Sequence, residues 1–127
     1  MARLKCLILG ASGLVGQRLQ QRLQHHPLFE IAAVAGSQAT AGRRLSELEW
    51  RLDDGQPNLP NLTVLDVNSP DLVENITKLD IKIAFSALPS HVAETVEKRL
   101  VEGDVMVFSN ASACLLYTSP SPRDVST

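Results

Sequence analysis

Gly10, Gly13 and Gly16 recur at three-residue intervals within KCLILGASGLVGQRLQQRLQHH, residues 5–26. Glycines so spaced suit the task of holding a pyrophosphate. Gly10 lets the chain turn sharply, and Gly13, without a Cβ, admits phosphates to the backbone. Gly16 lets a following helix lie close on its neighbours. The Ser12 hydroxyl can donate to the same phosphates. Ala11 stands where the G-x-G-x-x-G fingerprint carries its first glycine, so the glycines alone equally describe a tight turn. A strand before them and a helix after them are what make a nucleotide motif.

A second group lies further on. In a unit that binds NAD, an Asp or Glu about 20 residues past the last glycine takes the ribose 2′-hydroxyl. Counting from Gly16 lands on Gly36, and no acid lies between Glu30 and Glu47. Ser37, Thr40, Arg43 and Arg44 occupy that interval instead. Hydroxyls and guanidinium groups bind a 2′-phosphate that a carboxylate would repel, so NADP is expected in preference to NAD. The plainer reading of the same residues is a polar loop with two solvated arginines.

Two small-residue loops complete the candidates. Ser86-Ala87-Leu88-Pro89-Ser90 leaves room for a flat ring or a ribose, and Ser109-Asn110-Ala111-Ser112-Ala113 belongs near the nicotinamide side of such a site. The histidines carry less. His25-His26 before Pro27 reads as a helix end, since adjacent helical residues point apart and make a poor metal pair. His91 falls in a first helical turn, where exposure is the expectation. Cys6 sits inside an apolar run as a small core residue, and neither it nor Cys114 shows a pairing or metal-ligand spacing.

The elements that must position these residues follow from periodicity. Lys5–Leu9 is a short apolar run ended by glycine, hence a buried strand. From Leu14, the residues Val15, Leu19 and Leu23 recur at helical spacing, and this helix ends near Pro27. Phe29–Val34 is a second strand. Ser46–Asp54 reads as a short helix, with Leu45, Leu48, Trp50 and Leu52 supplying apolar contact, before a Pro/Asn loop. Leu62–Leu65 is a third strand, and Ser69-Pro70-Asp71 opens a brief helix over about Pro70–Thr77. Ile81–Phe85 is a fourth strand. Ser90 caps a helix that buries Val92, Val96 and Leu100 and ends at Gly103. Val105–Phe108 is a fifth strand. This alternation predicts an α/β fold of the Rossmann type, a doubly wound, mostly parallel sheet with helices on both faces.

Composition bounds the function class. The chain has 127 residues, 44% hydrophobic and 20% charged, with a net charge of −2. That is one domain able to bury a core, and its charge argues for neither nucleic acid nor an anionic membrane as partner. No signal peptide and no membrane-length apolar run are seen, so the cytoplasm is the expected compartment.

Several stretches together carry a family resemblance. GASGLVGQR (10–18), HPLFE (26–30), the Ser37–Arg44 loop with Ala41-Gly42, FSALPS (85–90) and SNASA (109–113) come in the order and spacing of aspartate-semialdehyde dehydrogenase. The sequence most resembles the archaeal and fungal branch, from about Leu4 to Ala113. The resemblance implies reduction of L-aspartyl-4-phosphate to the semialdehyde with NADPH, in a parent that is a homo-oligomer. It implies that Ser12, Gly13, Leu14 and Val15 hold the pyrophosphate, and Ser37 and Thr40 the 2′-phosphate. Ser86, Ala87, Leu88, Pro89 and Asn110 would line the ribose and nicotinamide. Ala39 departs from the pattern, since many members carry arginine there.

In the family a cysteine thiolate attacks the acyl phosphate, and the resulting thioester accepts hydride with a histidine as acid–base. Both residues come from beyond the fifth strand, so no catalytic residue is expected here. Cys114 lies too early and outside that motif. Residues 1–113 are therefore expected to form a truncated NAD(P)-binding domain without turnover. Residues 114–127, CLLYTSPSPRDVST, are expected to be a disordered, non-native tail, because the string resembles a translated sequencing adapter; a genuine Ser/Pro-rich terminus is the alternative. Runner-up functions are a sibling reductase, of N-acetylglutamyl phosphate or malonyl-CoA, and a nucleotide-sensing domain without chemistry.

Overall fold

Cys6, Leu7, Ile8 and Leu9 are all fully buried, which a strand covered on both faces requires. They belong to β1 (Leu4–Leu9), the central strand of the computed structural model, which describes residues 3–53, 56 and 61–109. The remaining elements are α1 (Leu14–Leu23), β2 (Phe29–Gly36), β3 (Val64–Asp66), α2 (Leu72–Lys78), β4 (Ile83–Ser86), α3 (Ser90–Glu102) and β5 (Met106–Ser109). Strand order is β3-β2-β1-β4-β5, and every neighbouring pair is parallel. The chain thus starts at the centre, winds outward one way, then returns and winds the other. The reversal lies between β1 and β4, and the crevice beyond their C-terminal ends is where such sheets bind ligands.

Both faces carry a core. Leu7, Leu9, Ala33 and Ala35 pack with Leu72 and Ile76 of α2 and Val96 and Leu100 of α3. On the other face, Cys6, Ile8, Ile31 and Val34 pack with Leu23 of α1 and with Leu45. Ile31 and Val34 are three apart yet share a face, against strict strand alternation. A register shift explains it: Cys6 pairs with Ile31 but Leu7 with Ala33, so Ala32 is an extra residue, a β-bulge.

The structure corrects several expected elements. The inner face of α1 is Gly16, Gln17, Gln20 and Leu23; Val15 is exposed and Leu19 only half-buried. Close contact at Gly16 turns that side of the helix to the sheet, and the two glutamines satisfy their amides there. The described part of the expected helix from Ser46, residues 46–53, is not helical beyond a single 3-10 turn, Leu45–Glu47, followed at Leu48 by extended backbone; Asp54 lies outside the described residues. Gln17 of α1 takes main-chain groups that a helix would have used, donating to Glu49 O and accepting from Arg51 N–H.

Helix α3 begins at Ser90 with Pro89 in the capping position, the Pro89 carbonyl accepting from Val92 and Ala93 N–H (3.0 and 2.8 Å). Helix α2 begins at Leu72 with Asp71 in the capping position, so Ser69 is not its N-cap nor Pro70 its first residue; Ser69 Oγ instead accepts from Asp71 N–H at 3.1 Å in the turn that precedes the helix. Each of β3, β4 and β5 starts one or two residues later than its apolar run: Ile81 and Val105 close the helices before β4 and β5, and before β3 Leu62 O accepts from Leu45 N–H while Thr63 bridges Arg44. The residue that turns the chain after α3 is Asp104, with φ of 68°, and not Gly103. Gly103 serves packing, since a Cβ there would run into the Val73 side chain of α2.

Candidate functional site

The turn after β1 is built by its glycines. Gly10 has φ of 83°, and its N–H donates to Ala35 O (2.8 Å), closing β1 against the end of β2. A Cβ on Gly16 would strike the Gly10 carbonyl, so the start of α1 lies against the turn only because none exists. Gly13 is different. Its φ of −82° and ψ of 167° suit any residue, and an added Cβ would meet nothing closer than Gly10 O at 3.8 Å. The fold therefore explains Gly10 and Gly16 and leaves the bare backbone at Gly13 open to a ligand.

Electrostatics favour an anion there. The first turn of α1 contains no acid, and its free N–H groups form the positive end of a ten-residue helix. Ser12 is half-buried, and Leu14 and Val15 are exposed on that turn. The β4–α3 loop meets the glycine turn directly: Ala87 N–H donates to Leu9 O (2.9 Å), and the Ala87 carbonyl faces the open side of Gly10. Within that loop Ala87 is half-buried and Pro89 exposed, whereas the side chains of Ser86 and Leu88 are buried. A ligand over this loop meets Ser86 and Leu88 through their main chain. Asn110 lies outside the described residues.

At the end of β2, Thr40 N–H and Oγ1 and Ala41 N–H all donate to Ser37 O, at 3.0, 3.2 and 2.9 Å. This turn folds back over Gly36, where a Cβ would collide with the Thr40 hydroxyl. An acid at position 36 would have to displace the Thr40 hydroxyl from its bond to Ser37 O. Ser12, Thr40, Arg43, Glu47, Leu48, Glu49 and Arg51 line an open cavity of about 260 Å³ beside the turn. It unites Ser12, Thr40 and Arg43 from the expected set; Ser37 is exposed beside it, and Arg44 lies outside its lining. Glu47, Leu48, Glu49 and Arg51 were not foreseen. Glu47 Oε1 is engaged by the Arg44 N–H at 3.1 Å.

What brings residues 49–51 to the cavity is Gln17, 1% exposed in α1. Its Nε2 donates to Glu49 O at 2.7 Å and lies 3.5 Å from Ser12 O, while its Oε1 accepts from Arg51 N–H at 2.8 Å. Gln20 likewise satisfies Ala11 O (2.8 Å) and Gly16 O (3.2 Å) under the turn. A glutamine on an amphipathic helix reads as solvent-facing, so only its place beside Gly16 could have hinted at this role.

His91 is exposed in the first turn of α3, and Cys6 is buried among core residues. His26 Nδ1 accepts from Leu28 N–H (3.0 Å), holding the turn into β2. Among the described residues no group of three His, Cys, Asp or Glu is placed to hold a metal ion, and no helix is long and apolar enough to cross a membrane.

A parallel sheet that reverses its strand order beside a glycine turn, with hydroxyl and guanidinium groups over the next strand end, defines a Rossmann-type nucleotide-binding domain. The family model described as semialdehyde dehydrogenase, NAD binding domain, matches residues 5–117, and the chain belongs to that family. It is 41% identical over 108 residues to the aspartate-semialdehyde dehydrogenase of Methanothermobacter thermautotrophicus, covering 84% of this chain and 29% of that protein. The Archaeoglobus fulgidus enzyme of the same name is 36% identical over 107 residues, with the same coverage. The aspartate-semialdehyde dehydrogenase of Candida albicans, solved with NADP, superposes with a TM-score of 0.74 at 32% identity, over 87% of this chain and 30% of that one. The chain thus spans about three-tenths of the length of these relatives.

Proposed function

We propose that this chain is the dinucleotide-binding part of an aspartate-semialdehyde dehydrogenase, in which NADPH reduces L-aspartyl-4-phosphate to L-aspartate 4-semialdehyde. Family membership and the names of its relatives support the reaction. The observation that carries the nucleotide site is Gly13, a backbone left bare where the fold does not require it. The pyrophosphate rests on Ser12–Val15 at the head of α1, and the ring and ribose of the nicotinamide end lie over Ala87 and Pro89. When bound, the dinucleotide supplies the hydride. This chain's residues hold and orient it, and the groups that attack and protonate the acyl substrate come from the rest of the protein.

Preference for NADP is part of the proposal. Gly36 supplies no ribose-binding carboxylate, while Ser37, Thr40 and Arg43 offer donors to a 2′-phosphate. Calorimetric titration should show NADPH binding more tightly than NADH. Ser37→Asp should move that preference toward NADH by about tenfold, through repulsion of the 2′-phosphate. Equal affinities in the parent chain, or an unchanged ratio in the variant, would overturn the assignment of this loop.

A further inference from the structure

We infer that Arg51 is a specificity-determining residue for the nucleotide's 2′-phosphate, and that Gln17 is the positioning residue that puts it there. The inference rests on the proposed nucleotide site and extends it to residues that neither the glycine motif nor the Ser37–Arg44 loop contains.

The argument starts from the cost of burying an amide. Gln17 is 1% exposed, and a buried primary amide without partners is strongly unfavourable. Its donor and acceptor atoms are matched to main-chain atoms 32 and 34 residues away, Glu49 O at 2.7 Å and Arg51 N–H at 2.8 Å. Such a pair of bonds fixes both the position and the direction of the 49–51 backbone. The same nitrogen lies 3.5 Å from Ser12 O, so one side chain ties the phosphate turn to the far wall of the cavity. The tie is to main chain, and the Arg51 side chain is left exposed and lining the cavity with Ser12, Thr40 and Arg43.

Charge gives the arrangement its sign. The lining contains two arginines, Arg43 and Arg51, and two glutamates, Glu47 and Glu49, so its formal charge is balanced as it stands. Ala39 offers no cation on the 37–40 turn, which leaves the two arginines as the cationic groups of the lining. Without Arg51 the wall holds one guanidinium against two carboxylates. That balance repels a dianionic 2′-phosphate and tolerates the 2′-hydroxyl of NAD.

Calorimetry on the 127-residue chain with NADP, NAD, 2′,5′-ADP and 5′-AMP tests this. Arg51→Ala keeps the Gln17 bonds and should weaken NADP and 2′,5′-ADP by about tenfold, leaving NAD and 5′-AMP nearly unchanged. Gln17→Leu should lose the same selectivity, and the double variant should lose little more, because both changes remove one contact. A purely structural Gln17 would instead weaken NADP and NAD alike and add to Arg51→Ala. Should Gln17→Leu fail to fold, Gln17→Glu replaces it: it keeps the acceptor for Arg51 N–H but loses the donor to Glu49 O, and an unchanged NADP-to-NAD ratio in it would overturn the positioning role. The inference is overturned if Arg51→Ala leaves the NADP-to-NAD ratio unchanged. If the unaltered chain binds NADP and NAD but with no preference, the inference fails while the glycine-turn site stands. If it binds neither, the nucleotide site itself is wrong and the inference goes with it.

Discussion

At the scale of single residues, burial has opposite consequences for a thiol and for an amide. Cys6 is fully buried, and its thiol is pushed from an ordinary 9.0 up to about 12, first by desolvation and then by the negative charge of Glu30. It therefore stays protonated and inert at neutral pH. In a Cys114→Ser background, thiol reagents at pH 8 should label Cys6 only after unfolding; prompt labelling of the folded chain would contradict its burial. Because the folded pKa is the higher one, the neutral thiol's stabilisation is complete below pH 9 and declines as pH rises toward 12. Gln17 and Gln20 show the other case, polar side chains that can be buried because main-chain groups meet them, those of Glu49 and Arg51 for Gln17 and the Ala11 and Gly16 carbonyls for Gln20. The sequence concealed them, since a helical glutamine gives no sign of whether water or backbone will satisfy it.

At the scale of elements, α2 and α3 end in the same way. Asp80 and Asp104 have φ of 64° and 68°, and the next N–H, of Ile81 or Val105, donates to the carbonyl five residues back at 3.0 or 2.9 Å. This is a Schellman ending with aspartate where glycine is preferred. Asp80→Gly and Asp104→Gly should each stabilise the chain by up to about 1 kcal/mol in denaturant unfolding, by removing the Cβ from a left-handed residue. A loss of stability in both would refute that geometry. Gly103→Ala should do the reverse, since its Cβ would meet Val73. These endings also show what local pattern reveals. The helix over 90–102 was evident from its apolar spacing, whereas the choice of Asp104 over Gly103 depended on α2 lying against it. The expected helix from Ser46 misled for a related reason: Leu45 and Leu48 contact the core, but the main chain at Glu49 and Arg51 bonds a helix remote in sequence.

For the whole molecule, strand order and parallel pairing agree with the alternation of apolar runs, because each strand–turn–helix unit carries its own punctuation. The bulge at Ala32 left no comparable mark. The two faces are unequally covered. On the α1 side, the rings of Phe29, Phe85 and Phe108 follow one another across the sheet with centroids 5.3 and 5.6 Å apart, and Phe108 and Met106 remain 40% and 46% exposed. An apolar strip of this kind binds apolar probes and promotes association. Phe108→Ser should lower the fluorescence of a bound hydrophobic dye and shift sedimentation toward monomer, at a stability cost of about 1 kcal/mol or less. Dye binding that is unchanged would place the adhesive surface elsewhere.

The pyrophosphate at the glycine turn is tested most directly at Gly13, where protein and ligand make different demands. Titration of NADP into Gly13→Ala, beside unfolding of the same variant, separates them. The chain itself has room for the methyl, so stability should change by less than about 1 kcal/mol, while affinity should fall by about tenfold or more. Undiminished affinity in a folded Gly13→Ala chain would mean that the dinucleotide does not lie against this turn.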